Sequence, residues 1–119
     1  MPFKAILEDL TAMSKAEGAI MLDWEGEAVD FFSSSADLQL AEIGAHKGII
    51  LNMLKEVSAN HSEGNRIKHI GITTNNYNIA ISTLKDDYYI LVTLKKNSSI
   101  GRAFYESRKA ARKIEKEMG

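Results

Sequence analysis

The sequence contains no cysteine and only one proline among its 119 residues. Without cysteine the chain has no disulfide, no thiolate nucleophile, no cysteine-ligated zinc and no iron–sulfur cluster. It also lacks any apolar run that approaches the ~20 residues of a transmembrane helix. We therefore expect a soluble protein that is stabilised by side-chain packing. Because the N-terminus lacks the pattern of a signal peptide, we expect a cytoplasmic location.

The common catalytic motifs are missing as well. The sequence has no Gly-x-Ser-x-Gly, no Gly-x-x-x-x-Gly-Lys-[Ser/Thr], no Gly-x-Gly-x-x-Gly and no His-Glu-x-x-His. Its three histidines, His46, His61 and His69, do not form the i, i+4 pair that ligates a metal from a helix. We interpret them as solvated or interface side chains, and we predict no enzymatic activity, no metal and no cofactor.

Charge is distributed unevenly, although the formal net charge is only −1. Acidic residues outnumber basic ones in residues 1–60, and the reverse holds in residues 61–119. The last helical pattern carries six bases, namely Arg102, Arg108, Lys109, Arg112, Lys113 and Lys116. Glutamates interrupt this series, and we expect no exposed aromatic residues to be interleaved with it. We therefore interpret it as a solvated helix face rather than a nucleic-acid site.

Residues 37–60 form the most informative segment, an apolar helical pattern with two stripes. The stripe suited to covering a sheet comprises Leu38, Ala41, Ala45, Ile49 and Met53. The neighbouring stripe comprises Leu40, Ile43, Gly44, Gly48, Leu51 and Leu54. A glycine inside a helix costs about 1 kcal/mol relative to alanine, so two of them indicate close approach of another backbone. We expect a second copy of the chain there; the alternative is a buried monomer helix whose glycines touch its own sheet.

The flanking segments predict two more helices and five strands. In chain order the elements are a helix, two strands, the central helix, three strands and a helix, at residues 3–16, 19–24, 28–32, 37–60, 67–73, 77–84, 88–94 and 99–117. The first helix should stop at Glu17-Gly18, and Glu25-Gly26-Glu27 should reverse the hairpin. Asn75-Asn76 and Asp86-Asp87 should form the later turns. The last strand is apolar on both faces, which places it in the middle of the sheet.

Four local patterns accompany this order of elements. They are the apolar strand, acidic residue and glycine turn of residues 18–26, the alanine- and leucine-rich central helix, Ile70-Gly71-Ile72, and Gly101-Arg102-Ala103. Together they resemble the Roadblock/dynein light chain family, especially the bacterial and archaeal members typified by the mutual gliding-motility protein B. The resemblance implies one profilin-like α+β domain over residues 1–119. Its five-stranded antiparallel sheet would have the order 2-1-5-4-3, with the first and last helices on one face and the long helix on the other.

The resemblance also implies a homodimer that joins the third strands of two sheets and pairs the long helices. The expected interface comprises Leu40, Ile43, Gly44, Gly48, Leu51, Leu54, Lys68, Ile70 and Ile72. Members of the family are non-enzymatic platforms that bind small Ras-like GTPases, some stimulating GTP hydrolysis. The residues expected to contact such a partner are Glu42, His46, Lys47 and Asn52. The alternatives are a structural subunit of a motor or signalling assembly without a GTPase partner, or a small-ligand sensor with an apolar pocket.

Overall fold

A computed structural model describes residues 2–34, 52 and 68–119 of the chain. The predicted central helix at 37–60 lies outside these ranges except for Asn52, which is helical and exposed. The predicted site residues outside the described residues are Leu40, Glu42, Ile43, Gly44, His46, Lys47, Gly48, Leu51 and Leu54. The two-stripe interpretation of the central helix therefore stays a prediction.

The first helix, α1, spans Pro2–Ser14 and ends two residues earlier than predicted. Its last turn is closed by Lys15, which has a left-handed φ of 54°. The Ala16 N–H then donates to the Thr11 carbonyl at 2.9 Å, as in a Schellman cap. A lysine thus holds the position that glycine usually takes. Gly18, expected to stop the helix, instead begins the first strand.

The hairpin consists of β1 (Gly18–Leu22) and β2 (Ala28–Ser33), which pair antiparallel. Gly26 has a φ of 82°, so the turn uses the glycine as predicted. The Asp23 Oδ1 accepts hydrogen bonds from the backbone N–H groups two and four residues further on, at 2.9 and 3.0 Å. The Asp23 carboxylate therefore stabilises the turn.

Strand β2 forms one edge of the sheet, and a lysine of α1 reaches it. The Lys4 ammonium donates to the backbone oxygen of Phe31 at 2.9 Å. It also lies 3.6 Å from the Asp30 carboxylate and 4.9 Å from the centre of the Phe31 ring. One backbone acceptor of this edge is thus occupied by a charged side chain.

The second half of the sheet is a meander of three strands. They are β3 (His69–Thr73), β4 (Tyr77–Thr83) and β5 (Tyr89–Lys95). A single 3-10 turn, Lys85–Asp87, joins β4 to β5, and Asp86 and Asp87 have left-handed φ values of 60° and 61°. This confirms the turn predicted at these two aspartates, because Asp tolerates that conformation better than most residues.

The five strands form one antiparallel sheet in the order β2-β1-β5-β4-β3, as the resemblance implied. The central position of β5 is also confirmed, and its residues Ile90, Leu91 and Val92 are all buried. Successive side chains of a strand point to opposite faces, so this burial requires cover on both sides of the sheet.

The last helix, α2, spans Ile100–Met118 and packs beside α1 on one face of the sheet. The hydroxyl of Ser99 caps it by accepting the Arg102 N–H at 3.1 Å. The core on this face includes Leu7, Leu10, Met21, Leu84, Ile90, Val92, Leu94, Ala103 and Ile114. Both helices contribute to this cluster, which confirms that the first and last helices share a face. Neither α1 nor α2 is long and apolar enough to cross a membrane.

The opposite face of the sheet carries a second apolar cluster. Its buried members are Leu22, Tyr77, Ile79, Ile81, Tyr89 and Leu91. They are buried although α1 and α2 both lie on the other side. The resemblance assigns the long helix to this face, and that placement stays a prediction.

Candidate functional site

Strand β3 is the second edge of the sheet. It carries Ile70 and Ile72, and Lys68, the third predicted interface residue that the structure describes, directly precedes it. Within the described residues β3 pairs only with β4, with Ile70 opposite Ile81 and Ile72 opposite Ile79. Ile70 and Ile72 are half-buried on the face of the second cluster, whereas Lys68 is exposed. The structure therefore brings these three residues together along one edge.

The other face of β3 is held by α2. A Cβ at Gly71 would lie 3.5 Å from side-chain atoms of both Ile100 and Phe104. The His69 ring lies 4.9 Å from the Phe104 ring between centroids. His69 Nδ1 is also within hydrogen-bond distance of Ser82 Oγ, at 2.9 Å. His69 is therefore a half-buried side chain clamped between α2 and β4, not a freely solvated one.

This environment lowers the pKa of His69 below its ordinary value of 6.5. The largest cause is burial, which disfavours the charged imidazolium. The positive charges of Arg108 and Lys68 act in the same direction. At neutral pH the ring is thus neutral and lies beside two cations.

Beside His69 the surface opens into a groove between α2 and the ends of β3 and β4. This arginine groove has a volume of about 540 Å³ and is lined by Lys68, His69, Ser82, Thr83, Leu84, Arg108, Ala111, Arg112 and Glu115. Arg108 and Arg112 come from successive turns of α2, so both side chains can lie along the same wall. Lys68 adds a third cation from the opposite wall. The groove is therefore a concave surface rich in positive charge.

The acidic member of the arginine groove is engaged by the protein itself. The Glu115 Oε2 accepts a hydrogen bond from the Lys85 backbone N–H at 2.8 Å, across thirty residues of chain. This bond anchors the turn between β4 and β5 to α2. It also directs one carboxylate oxygen to the backbone rather than to the arginines.

The pattern of six bases in the last helix predicts one solvated face and does not indicate this site. In the structure, four of the six bases line two separate grooves. The second, the lysine groove, has a volume of about 380 Å³ between α1 and α2 and is lined by Ile6, Asp9, Leu10, Ala12, Met13, Glu106, Lys109, Ala110 and Lys113. The i, i+4 spacing within each pair of bases was the available signal. Lys68 lies forty residues before Arg108 in the chain, so sequence spacing could not show that it lines the same groove.

The lysine groove differs from the arginine groove in its charge. Lys109 lies 3.5 Å from the carboxylate of Glu106 and 5.5 Å from the centre of the Tyr105 ring. Asp9 and Lys113 supply a second acid and a second base. Acidic and basic residues are therefore balanced on this side of α2.

The hairpin end of the sheet presents a different surface. Trp24 is 52% exposed and makes an edge-to-face contact with Tyr88 at 5.6 Å between ring centroids. The carboxylate of the nearby Asp23 accepts the two backbone hydrogen bonds of its turn. Across the described ranges no three His, Cys, Asp or Glu side chains are arranged to hold a metal ion.

Comparison of the sequence with protein-family models gives no match, and comparison with curated proteins gives none either. Solved structures do match the fold. MglB from Myxococcus xanthus superposes with a TM-score of 0.74 at 14% identity, covering 99% of this chain and 95% of that one. A Roadblock/LC7 domain from Streptomyces avermitilis gives a TM-score of 0.76 at 10% identity, covering 97% and 96%. Profilin II from Acanthamoeba castellanii gives 0.64 at 12% identity, covering 98% and 99%.

These matches extend over nearly the whole length of each chain. At such low identity they establish the fold and not the activity. The chain therefore has a Roadblock-type, profilin-like α+β fold, which is the fold that the resemblance in sequence indicated.

Proposed function

Because the chain has a Roadblock-type fold, we propose that it is a non-catalytic homodimer that regulates or scaffolds by binding a small Ras-like GTPase. The observation that supports this most is the near full-length superposition on MglB and on a Roadblock/LC7 domain. The family resemblance stated above supplies the link from this fold to GTPases. The same resemblance is the reason to expect that the chain binds the GTPase without being an enzyme itself.

The edge strand β3 supports the dimer part of the proposal. An unpaired strand edge is a template for pairing with another chain. Ile70 and Ile72 are half-buried along this edge, and Lys68 is exposed directly before it. Pairing of β3 with its copy would satisfy the backbone groups of the edge and extend the sheet across a two-fold axis. The glycine stripe at Gly44 and Gly48 would add a helix contact to the same dimer.

The proposed GTPase surface is the solvent-facing side of the paired central helices. Glu42, His46, Lys47 and Asn52 are its proposed members, and Asn52 is exposed on a helix. A platform of this kind acts by contacting the switch segments of the GTPase, which change between ordered and disordered states with the nucleotide. Hydrolysis would be stimulated if binding orders the catalytic residues that the GTPase already has.

The test is the mass of the protein in solution with and without each Ras-like GTPase of the same cell. We expect a dimer alone and a larger complex with one GTPase, more stable with a GTP analogue than with GDP. A dimer that binds none of these GTPases in either nucleotide state would contradict the GTPase part of the proposal. That outcome would favour the alternative role as a structural subunit of an assembly.

A further inference from the structure

Helix α2 directs two equally spaced pairs of bases into two different grooves. Arg108 and Arg112 line the arginine groove, and Lys109 and Lys113 line the lysine groove. The pairs are offset by a single residue, yet one lies among balanced charges and the other among an excess of positive charge. This offset provides an internal comparison for the function of the arginine groove.

In the lysine groove each base has an acid available. Lys109 is 3.5 Å from Glu106, and Asp9 faces the same space from α1. In the arginine groove three cations share one carboxylate, that of Glu115, which accepts the Lys85 N–H. Among the ion pairs of the described residues, none involves Lys68, Arg108 or Arg112. The arginine groove therefore has an excess of positive charge that the described protein leaves uncompensated.

We propose that the arginine groove binds a phosphate group, either as inorganic phosphate or as part of a small phosphate ester. Guanidinium groups match the oxygens of a phosphate with paired N–H donors, and they pair with an oxyanion more strongly than neutral donors do. Arg108 and Arg112 supply two such groups, and Lys68 supplies a compact third charge. The three cations of the groove face only one acidic side chain, Glu115. This net positive charge favours a doubly charged ligand such as phosphate over a ligand with a single carboxylate.

The shape of the groove is consistent with this ligand. At about 540 Å³ it accommodates more than a phosphate alone, so an organic part can lie along Leu84 and Ala111. Ser82 and Thr83 also line the groove. The hydroxyl of Ser82 lies on the side of His69, 2.9 Å from its Nδ1.

His69 provides a readout from within the groove. Arg108 and Lys68 contribute to the low pKa of this ring. A dianion bound between them offsets their repulsion and raises the pKa of His69. Ser82 and Phe104 also contact the ring, and neither carries a charge. A ligand that only screened charge at long range would have a much weaker effect.

The test has two NMR experiments on the whole protein, in the assembly that it forms in solution. Binding is titrated at a pH where phosphate is a dianion, and the pKa of His69 is then measured over a pH series with and without saturating ligand. Inorganic phosphate and glycerol 3-phosphate are the two probes, with sodium chloride at matched ionic strength as the reference. We expect saturable shifts at His69, Ser82 and Thr83 and a raised pKa of His69. Tighter binding of the ester than of inorganic phosphate would identify an organic phosphate as the ligand.

The matched variants are Arg108→Gln with Arg112→Gln and, as control, Lys109→Gln with Lys113→Gln. Both remove two positive charges from α2 at the same spacing. We expect the arginine variant to lose about tenfold or more in affinity, because a hydrogen bond to a charged group contributes at least that factor. The lysine variant should stay within about twofold of the unmodified protein.

Several outcomes would overturn the proposal. They are shifts that fail to saturate, equal shifts with sodium chloride, equal losses in the two double variants, and a pKa of His69 that phosphate leaves unchanged. If the double arginine variant does not fold, Arg112→Gln is compared with Lys113→Gln, and equal affinities would again overturn it. Binding of a GTPase plays no part in these measurements, so the two proposals fail independently.

Discussion

The ring of His69 on β3 packs against the ring of Phe104 on α2, with 4.9 Å between centroids and a tilt of 38° between the ring planes. This contact and the approach of Ile100 and Phe104 over Gly71 fix the edge strand to the helix. The same helix carries Arg108 one turn later, on the wall of the arginine groove. The edge strand and the groove are therefore parts of one packed unit.

We expect Phe104→Ala to destabilise the protein by about 2 kcal/mol. Replacing a fully buried Phe with Ala costs about 3–5 kcal/mol, and Phe104 is only half-buried. Tyr105→Ala is the matched control, because Tyr105 follows directly in α2 and is 58% exposed. It should change stability by less than about 0.5 kcal/mol. Urea denaturation followed by circular dichroism measures both, and equal effects would contradict the described packing.

The pKa of His69 predicts a pH dependence of stability. Burial and the two neighbouring cations hold this pKa below 6.5 in the folded protein, so the unfolded chain binds more protons as the pH falls below that value. The contribution of His69 to stability is therefore complete above about pH 6.5 and is lost as the pH falls towards the folded pKa.

The variant His69→Gln tests this pH dependence, because its side chain does not titrate. Relative to the unmodified protein, it should have a shallower loss of stability between neutral and mildly acidic pH. Thermal unfolding over a pH series measures the difference, and parallel curves for the two proteins would contradict the prediction.

Two glycines should respond to alanine in opposite directions. A Cβ at Gly18 would lie 2.8 Å from the backbone oxygen of Phe32, so Gly18→Ala forces the hairpin apart. We expect a loss of about 1–3 kcal/mol. At Gly101 the nearest atom to a Cβ is Ser99 Oγ at 3.7 Å, and Gly101→Ala should stabilise α2 by up to about 1 kcal/mol. Chemical denaturation of both variants checks the signs.

The proposed dimer predicts a specific effect of Gly48→Leu. A leucine at this position should prevent the close approach of two central helices and so weaken self-association more than it weakens the fold. Sedimentation velocity and circular dichroism together measure the two effects. A variant that remains dimeric, or a protein that is monomeric before the change, would contradict the proposed helix contact.

The order of the described helices and strands could be predicted from the sequence because strong periodic patterns determine it. The order of the strands within the sheet was instead implied by the family resemblance. In β5 both alternate sets of side chains are apolar, and this located the centre of the sheet. The end of α1 was wrong by two residues because Lys15 adopts a conformation that the pattern assigned to glycine. The last strand begins at Tyr89 rather than Tyr88, since the 3-10 turn is capped at Tyr88.

The arginine groove could not be predicted because its walls come from distant parts of the chain. Periodicity showed that Arg108 and Arg112 share a side of a helix. It did not show that Lys68 would face them or that Glu115 would bind the Lys85 backbone. Glu106 shows the same limit, since the helical pattern gave no reason for a glutamate to be buried, and in the structure it is.

The contacts of Lys4 have a consequence for how copies of this chain can join. The ammonium group on the outer carbonyl of β2 disfavours strand addition there, because an incoming backbone would have to displace it. The β3 side has no such obstruction among the described residues. Only one edge of the sheet would then be available for pairing with another copy. A molecule with one such edge forms a closed dimer instead of an open-ended filament.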